Sequence, residues 1–94
     1  MNVLVEFAGI SRVLTGVRDL PLSLEPGTSY RDLIRQLGTH FPALVGQVIT
    51  SDGDALIPEN KIALNGRRMI QESEMDTSPC EGDRLVFMSI LAGG

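Results

Sequence analysis

The last residues of the chain, Ile90-Leu91-Ala92-Gly93-Gly94, are those whose types and spacing could do chemistry. Glycine has no Cβ, so Gly93 and Gly94 are the least hindered residues that could enter a narrow channel and offer a backbone carboxylate to an enzyme. We therefore predict that the Gly94 carboxylate is the reacting group. The alternative is a frayed end without a role, because chain termini are often poorly ordered.

A strand leads directly into these glycines. Glu81-Gly82-Asp83 is typical of a turn, and the segment from Leu85 to Leu91 is rich in apolar residues and almost free of charge. Residues 89–94 are therefore predicted to form a flexible tail that continues the final strand.

The sequence resembles the MoaD/ThiS family of sulfur carriers, and in that family it looks most like the small subunit of molybdopterin synthase. The specific part of the resemblance is Gly82-Asp83-Arg84-Leu85-Val86-Phe87 followed by the tail. Weaker features extend it over nearly the whole chain: Phe7-Ala8, Pro26-Gly27-Thr28, Phe41-Pro42-Ala43-Leu44 and Leu64-Asn65-Gly66. The resemblance implies a ubiquitin-like β-grasp fold, in which the first and last strands are central, parallel neighbours.

The resemblance also implies a function. An ATP-dependent activating enzyme would adenylate the Gly94 carboxylate, the adenylate would become a thiocarboxylate, and a synthase subunit would consume the sulfur. The chain would then be a non-catalytic co-substrate that binds no cofactor, since the ATP belongs to the activating enzyme. Chain length and the Phe41–Leu44 segment favour the molybdopterin pathway, whereas the tail is equally similar to that of thiamin-type carriers.

Two alternatives belong to other classes. A ubiquitin-like modifier would use the same adenylate to form isopeptide bonds between Gly94 and lysines. An interaction module would use the fold alone, and the two glycines would have no role.

The composition indicates a single globular domain covering residues 1–94. Hydrophobic residues make up 43% and charged residues 21% of the chain, which is ordinary for a folded protein with one modest core. The net charge of −4 has the wrong sign for following nucleic-acid phosphates. The lone cysteine, Cys80, fits a reducing compartment, and neither a signal-like start nor a membrane-length apolar run is present. We therefore predict a cytoplasmic protein without nucleic-acid or membrane partners.

Hydrophobic periodicity predicts an α+β domain in which a mixed sheet packs on one main helix. Ser29 and Asp32 form a capping box that starts this helix near Tyr30, and Gly38 is expected to end it. The other predicted elements are a strand at 3–7, a loop at 10–16, an edge strand at 18–25 that contains Pro21, a possible short second helix at 41–49, a hairpin at 61–70 turning at Asn65-Gly66, and the final strand.

The sequence gives little support for a catalytic function. His40 stands alone, no base is evident for Cys80, and the pair Asp52 and Asp54 lacks the further oxygen ligands of a calcium loop. We predict neither a catalytic centre nor a metal site.

The final strand predicts a docking surface. If Leu85 and Phe87 pack beneath the helix, Val86 and Met88 lie on the opposite face, which has no layer to cover it. Leu4 of the first strand is expected to join them in an exposed apolar patch. The predicted partner-binding residues are Leu4, Val86, Met88, Ile90, Leu91 and Ala92.

Overall fold

The computed structural model describes residues 1–90. The strands are β1 (Asn2–Phe7), β2 (Asp19–Ser23), β3 (Asn60–Leu64), β4 (Arg68–Met69) and β5 (Arg84–Ser89), and the α-helices are α1 (Ile10–Thr15) and α2 (Tyr30–His40). Single 3-10 turns lie at Pro42–Leu44 and Glu72–Glu74. The strands form one mixed sheet in the order β2-β1-β5-β3-β4.

The first and last strands form the centre of the sheet. β1 runs parallel to β5, with Val5 opposite Leu85 and Phe7 opposite Phe87, and both strands also have antiparallel neighbours. This confirms the arrangement expected from the resemblance. Pro21 lies exposed in the edge strand β2, where its missing N–H leaves no central ladder incomplete.

The core lies between the sheet and α2. On the sheet side, alternate residues of β1, β3 and β5 point inward, and α2 contributes residues spaced three and four apart. All are at most 4% exposed: Val3, Val5, Phe7, Ile62, Leu85 and Phe87 from the sheet, and Tyr30, Leu33, Ile34 and Leu37 from α2. One face of the sheet is therefore fully covered.

The start of α2 is as predicted, but its end is not. The Ser29 hydroxyl accepts from the Asp32 amide at 3.0 Å, and the Asp32 carboxylate accepts from the Ser29 amide at 3.2 Å, so the capping box is complete. Gly38 does not end the helix, which continues to His40. Glycine at position 38 leaves room for Val45 to pack against the helix, since a Cβ there would lie 3.3 Å from Val45 Cγ2.

A short second helix is present, but it is α1 and not the predicted segment 41–49. The helix α1, Ile10–Thr15, lies where a loop was predicted at 10–16, and it is bounded by Gly9 and Gly16 with φ of 62° and 70°. Such angles suit glycine, so these two residues fix where the helix begins and ends. The segment 41–49 forms only the 3-10 turn and then bends back, with the Gly46 amide donating to the Ile49 carbonyl at 2.7 Å.

The hairpin between β3 and β4 turns as predicted. Asn65 and Gly66 have φ of 53° and 67°, which are the two positive angles of a type I′ turn. The Arg67 amide donates to the Leu64 carbonyl at 3.0 Å and closes it.

Candidate docking face and tail root

Strand β5 presents two different faces. Leu85 and Phe87 are 0% and 1% exposed beneath α2, whereas Val86 and Met88 point to the opposite side and stay half-buried. We call this opposite side the open face. It consists of the outward residues of the three central strands: Leu4, Glu6, Lys61, Ala63, Arg84, Val86 and Met88.

Register decides which residues meet on the open face. Val86 lies opposite Glu6 on one side and Ala63 on the other, and Met88 lies opposite Lys61. Leu4 shares the face but lies opposite Arg84.

An ion pair separates Leu4 from the other apolar residues. Arg84 Nε lies 2.9 Å from Glu6 Oε1. The open face is thus a mixed surface in which two apolar regions flank one ion pair.

The predicted patch is less exposed than expected. Leu4, Val86 and Met88 are half-buried, whereas the large apolar residues most open to solvent in the described chain are Ile10, Val13 and Ile90, at 42%, 77% and 42%. Glu6 lies opposite Val86 and Lys61 opposite Met88, and both long side chains are themselves half-buried, as is typical where methylene stems lie along apolar surface. Strand alternation in 60–64 could have identified Lys61 and Ala63 as members of this face.

The end of β5 is held in place by β3. We call Ser89 and Ile90 the tail root. Ser89 Oγ donates to Asn60 Oδ1 at 3.0 Å, and Asn60 is itself only 6% exposed. The Ile90 amide donates to the Glu59 carbonyl at 2.7 Å. The first two residues of the predicted tail are therefore anchored to the sheet.

The remaining tail residues lie outside the described part of the chain. Leu91, Ala92, Gly93 and Gly94, which include the predicted reacting residue, all follow Ile90. The structure thus places the base from which they start.

Helix α1 packs beside this end of the sheet. Ser11 is 2% exposed, and its hydroxyl lies 2.9 Å from the Ala8 carbonyl and 3.2 Å from the Phe87 carbonyl, so it can donate to either. These contacts join α1 to the ends of both central strands. The sequence carried no clear sign of this contact, because Ser, Arg, Thr and Gly mixed with apolar residues in 10–16 are typical of a loop.

The two carboxylates of the 51–54 loop stabilise the loop and its contact with α2. Asp52 accepts from the Thr50 hydroxyl and from the Asp54 amide, which holds the pKa of Asp52 below its usual value. Asp54 pairs with Arg35 at 2.8 Å. Within residues 1–90, no three acidic, cysteine or histidine side chains gather where they could hold a metal ion.

Cys80 lies at the far end of β5 from the tail root. It is exposed and immediately precedes the turn into that strand, and its amide donates to Asp83 at 2.8 Å. The length of β5 therefore separates Cys80 from the tail root. His40 is the exposed last residue of α2. In the described part of the chain, no helix is long and apolar enough to cross a membrane.

The fold and the anchored tail root define a class of protein: a small ubiquitin-like β-grasp domain that extends a C-terminal segment from a central strand. Residues 5–94 match the model of the ThiS family, and the chain belongs to that family. No curated protein sequence matches the chain.

Solved structures agree with this assignment. Small archaeal modifier protein 1 from Haloferax volcanii is similar with a TM-score of 0.80 at 19% identity over 100% of both chains. The protein of the same name from Methanosarcina acetivorans gives 0.76 at 27% identity, over 99% of this chain and 96% of that one. A putative molybdopterin converting factor, subunit 1, from Pyrococcus furiosus gives 0.75 at 26% identity, over 96% and 98%.

The chain is therefore a ubiquitin-like sulfur carrier or modifier of the ThiS/MoaD type. Small carriers of this type are generally non-catalytic. Members of the family act with activating enzymes and with sulfur-accepting synthases.

Proposed function

We propose that the chain is a sulfur carrier whose Gly94 carboxylate is adenylated, converted to a thiocarboxylate and used as a sulfur donor in molybdopterin synthesis. This requires Gly94 to be the C-terminal residue of the protein in its host. The observation that carries the proposal is the family match through residue 94, together with a tail root that is fixed to the sheet up to Ile90.

The chemistry needs activation from outside the chain. A carboxylate is a poor acyl donor, but an acyl-adenylate carries AMP as a leaving group, so a sulfur nucleophile can attack the carbonyl carbon. ATP is bound by the activating enzyme, and the carrier supplies the acyl group. Gly93 and Gly94 present little bulk to the enzyme's active site.

The tail root sets how far the reacting group can travel. The four residues after Ile90, Leu91 to Gly94, span at most about 14 Å when fully extended. An enzyme that reacts with Gly94 must therefore cover the end of β5. This supports a docking role for Val86, Met88 and Ile90 on the open face, with Leu91 and Ala92 lying in the entrance of the channel.

Leu4 is a weaker member of this proposed surface. The Glu6–Arg84 pair lies between it and Val86, at 2.9 Å. A partner that covers Leu4 as well must also accommodate this ion pair.

A protein-modifier function is the second candidate. The relative from Methanosarcina acetivorans is named a modifier, and its 27% identity is close to the 26% of the molybdopterin converting factor. Both functions share the adenylate and differ in the nucleophile that attacks its carbonyl carbon. A sulfur nucleophile attacks in the carrier, and a lysine amine of another protein attacks in the modifier.

The deciding experiment is the intact mass of the protein isolated from its native host. A species heavier by one oxygen-to-sulfur exchange, located at Gly94 by fragmentation, is the expected result. Conjugates of the chain with other proteins would favour the modifier. A mature chain that extends beyond Gly94, or ends before it, would exclude both.

A further inference from the structure

The exposed apolar side chains of the protein gather at one end of the sheet. Within residues 1–90, the large apolar residues most open to solvent are Ile10 and Val13 of α1 and Ile90 of the tail root. Single exposed apolar side chains are normal on a protein surface and need no explanation. Here, however, all three lie at the end of the sheet where the tail leaves.

Helix α1 lies beside the tail root because β1 ends before β5 does. The last residue pair of the two strands is Phe7 with Phe87, and the Ala8 amide donates to the Phe87 carbonyl at 3.0 Å. The chain then turns into α1, where the Ser11 hydroxyl lies 3.2 Å from the same carbonyl. On the other side of β5, the chain leading into β3 stays paired up to Ile90. The tail root therefore lies between α1 and the start of β3.

The outward side of α1 is not needed by the core. Ile10 and Val13 are three residues apart, so they share one side of the helix, which we call the α1 face. On the opposite side, Ser11 is buried and Leu14 packs against the core. Valine is also a poorer helix former than leucine or glutamine. Neither core packing nor helix propensity explains a valine that is 77% exposed at position 13.

The short tail determines what can cover the α1 face. The four residues after Ile90 span at most about 14 Å, so an enzyme that reacts with Gly94 must bring its surface to the end of the sheet. A standard interface covers about 800 Å² on each partner, which corresponds to a disc of about 16 Å radius. Ser11 contacts Phe87, which precedes Ile90 by about 10 Å of strand. The footprint of such an enzyme around the tail root therefore includes α1.

We propose that the α1 face is a docking contact for the activating enzyme, which covers it together with the open face. The proposal rests on the proposed function, because the enzyme must act on Gly94. The matching surface of the enzyme is apolar, since Ile10 and Val13 gain free energy only by leaving water against apolar atoms. Arg12 is exposed between them and would lie at the rim of the contact, where a carboxylate of the enzyme can pair with it.

The two contacts lie on different sides of the end of β5. Leu14 packs against the core, so α1 belongs to the covered side of the sheet, whereas Met88 points to the open face. An enzyme that holds both sides fixes the direction in which the tail root points. Such orientation of the reacting segment favours its entry into an active site.

The test compares two variants at one position by ATP–pyrophosphate exchange with the cognate activating enzyme. Val13→Gln removes the apolar surface and should raise the KM for the carrier about tenfold with kcat retained, as expected for a side chain that matters in an interface. Val13→Leu keeps the surface apolar and should keep the KM of the wild type. Neither change should lower the unfolding midpoint, because glutamine and leucine are better helix formers than valine.

A third variant controls for position. Ser78→Gln, exposed at the Cys80 end of the sheet, should exchange like the wild type. All variants are assayed well below their unfolding midpoints.

Three results would overturn the inference. The first is an unchanged KM for Val13→Gln, even if binding to the sulfur-accepting synthase falls. The second is an equally raised KM for Val13→Leu. The third is a wild type that is dimeric at the assay concentration beside a monomeric Val13→Gln, which would assign the α1 face to a second copy. None of these results touches the proposed function, which fails separately if the chain without Gly94 exchanges normally.

Discussion

At the residue scale, the residues that we propose to react are separate from the residues that hold the fold. The core residues of β5, Leu85 and Phe87, are at most 1% exposed, and the next polar contact, from Ser89 to Asn60, fixes the strand end. Gly93 and Gly94 lie beyond this anchor. Changes at the two glycines should therefore act on chemistry and not on stability.

Deletion of Gly94 should abolish activation and leave the unfolding midpoint within error of the wild type. Terminal residues beyond the last anchor contribute little packing, whereas the enzyme must reach the terminal carboxylate. Gly93→Val should behave in the same way, because a branched side chain obstructs a narrow channel. ATP–pyrophosphate exchange with the cognate activating enzyme and thermal unfolding are the two measurements. Normal exchange by the deletion variant would remove the tail from the mechanism.

At the element scale, α2 holds the fold and β5 carries the outward residues that we propose for docking. Helix α2 covers one face of the sheet and its capping box fixes where it begins, while β5 turns alternate residues to the open face. One substitution in α2 should therefore change folding stability, and one in β5 should change partner binding.

Gly38→Val should destabilise the fold by about 1–3 kcal/mol, because overpacking a close helix contact forces neighbours to shift. A Cβ at this position would already lie 3.3 Å from Val45 Cγ2 and 3.5 Å from Ile49 Cδ1. Chemical denaturation gives the free energy of unfolding. The matched control is Thr39→Val, at the next and exposed position, which should change it by less than about 0.5 kcal/mol. Equal effects at the two positions would show that the contact is not tight.

Met88→Asp should weaken partner binding by about 1–3 kcal/mol and leave the unfolding midpoint nearly unchanged. Met88 lies outside the core on the open face, so a carboxylate there stays hydrated in the free protein but is desolvated in a complex. Affinity for the activating enzyme and the unfolding midpoint are measured together. Gln36→Asp, exposed on α2, is the control and should bind normally. A large fall in midpoint, or unchanged affinity, would place the docking surface elsewhere.

At the scale of the whole molecule, acidic side chains stabilise a helix start and two turns through hydrogen bonds that their carboxylates accept. Asp32 closes the capping box, Asp52 organises the 51–54 turn, and Glu74 accepts from the Gln71 amide and from Arg68. Hydrogen bonds from backbone or side chains to these carboxylates lower the pKa of each in the folded protein, led for Asp32 by the Ser29 amide.

Stability should therefore fall as the pH drops below about 4. A carboxyl group whose pKa is lower in the folded state stabilises the fold above its unfolded pKa, about 3.9 for Asp and 4.3 for Glu, and this contribution is lost as the pH falls through the folded pKa. Unfolding midpoints measured from pH 7 to pH 2.5 test this. Asp32→Asn should show a smaller fall in midpoint on acidification than the wild type. A midpoint that rises on acidification would contradict the assignment.

The sequence by itself determined most of the elements and was the source of the proposed reacting end. Periodicity of two in β1 and β5, periodicity of 3.6 in α2, the Ser29–Asp32 box and Asn65-Gly66 are local signals, and local signals fix local structure. The glycines of the tail likewise indicated acyl chemistry without any fold.

Tertiary structure alone decided the rest. Glycine favours helix termini, so Gly38 was expected to end the helix. In the folded chain it lies inside α2, where a Cβ would be 3.3 Å from Val45 Cγ2 and 3.5 Å from Ile49 Cδ1. Residues 10–16 read as a loop because the amphipathic pattern of one and a half turns is too short to detect, and packing against the ends of β1 and β5 stabilises α1. The place of Lys61 beside the tail root depends on the pairing of β3 with β5 across 27 residues of sequence, from Lys61 to Met88, and such a register is set by the assembled core.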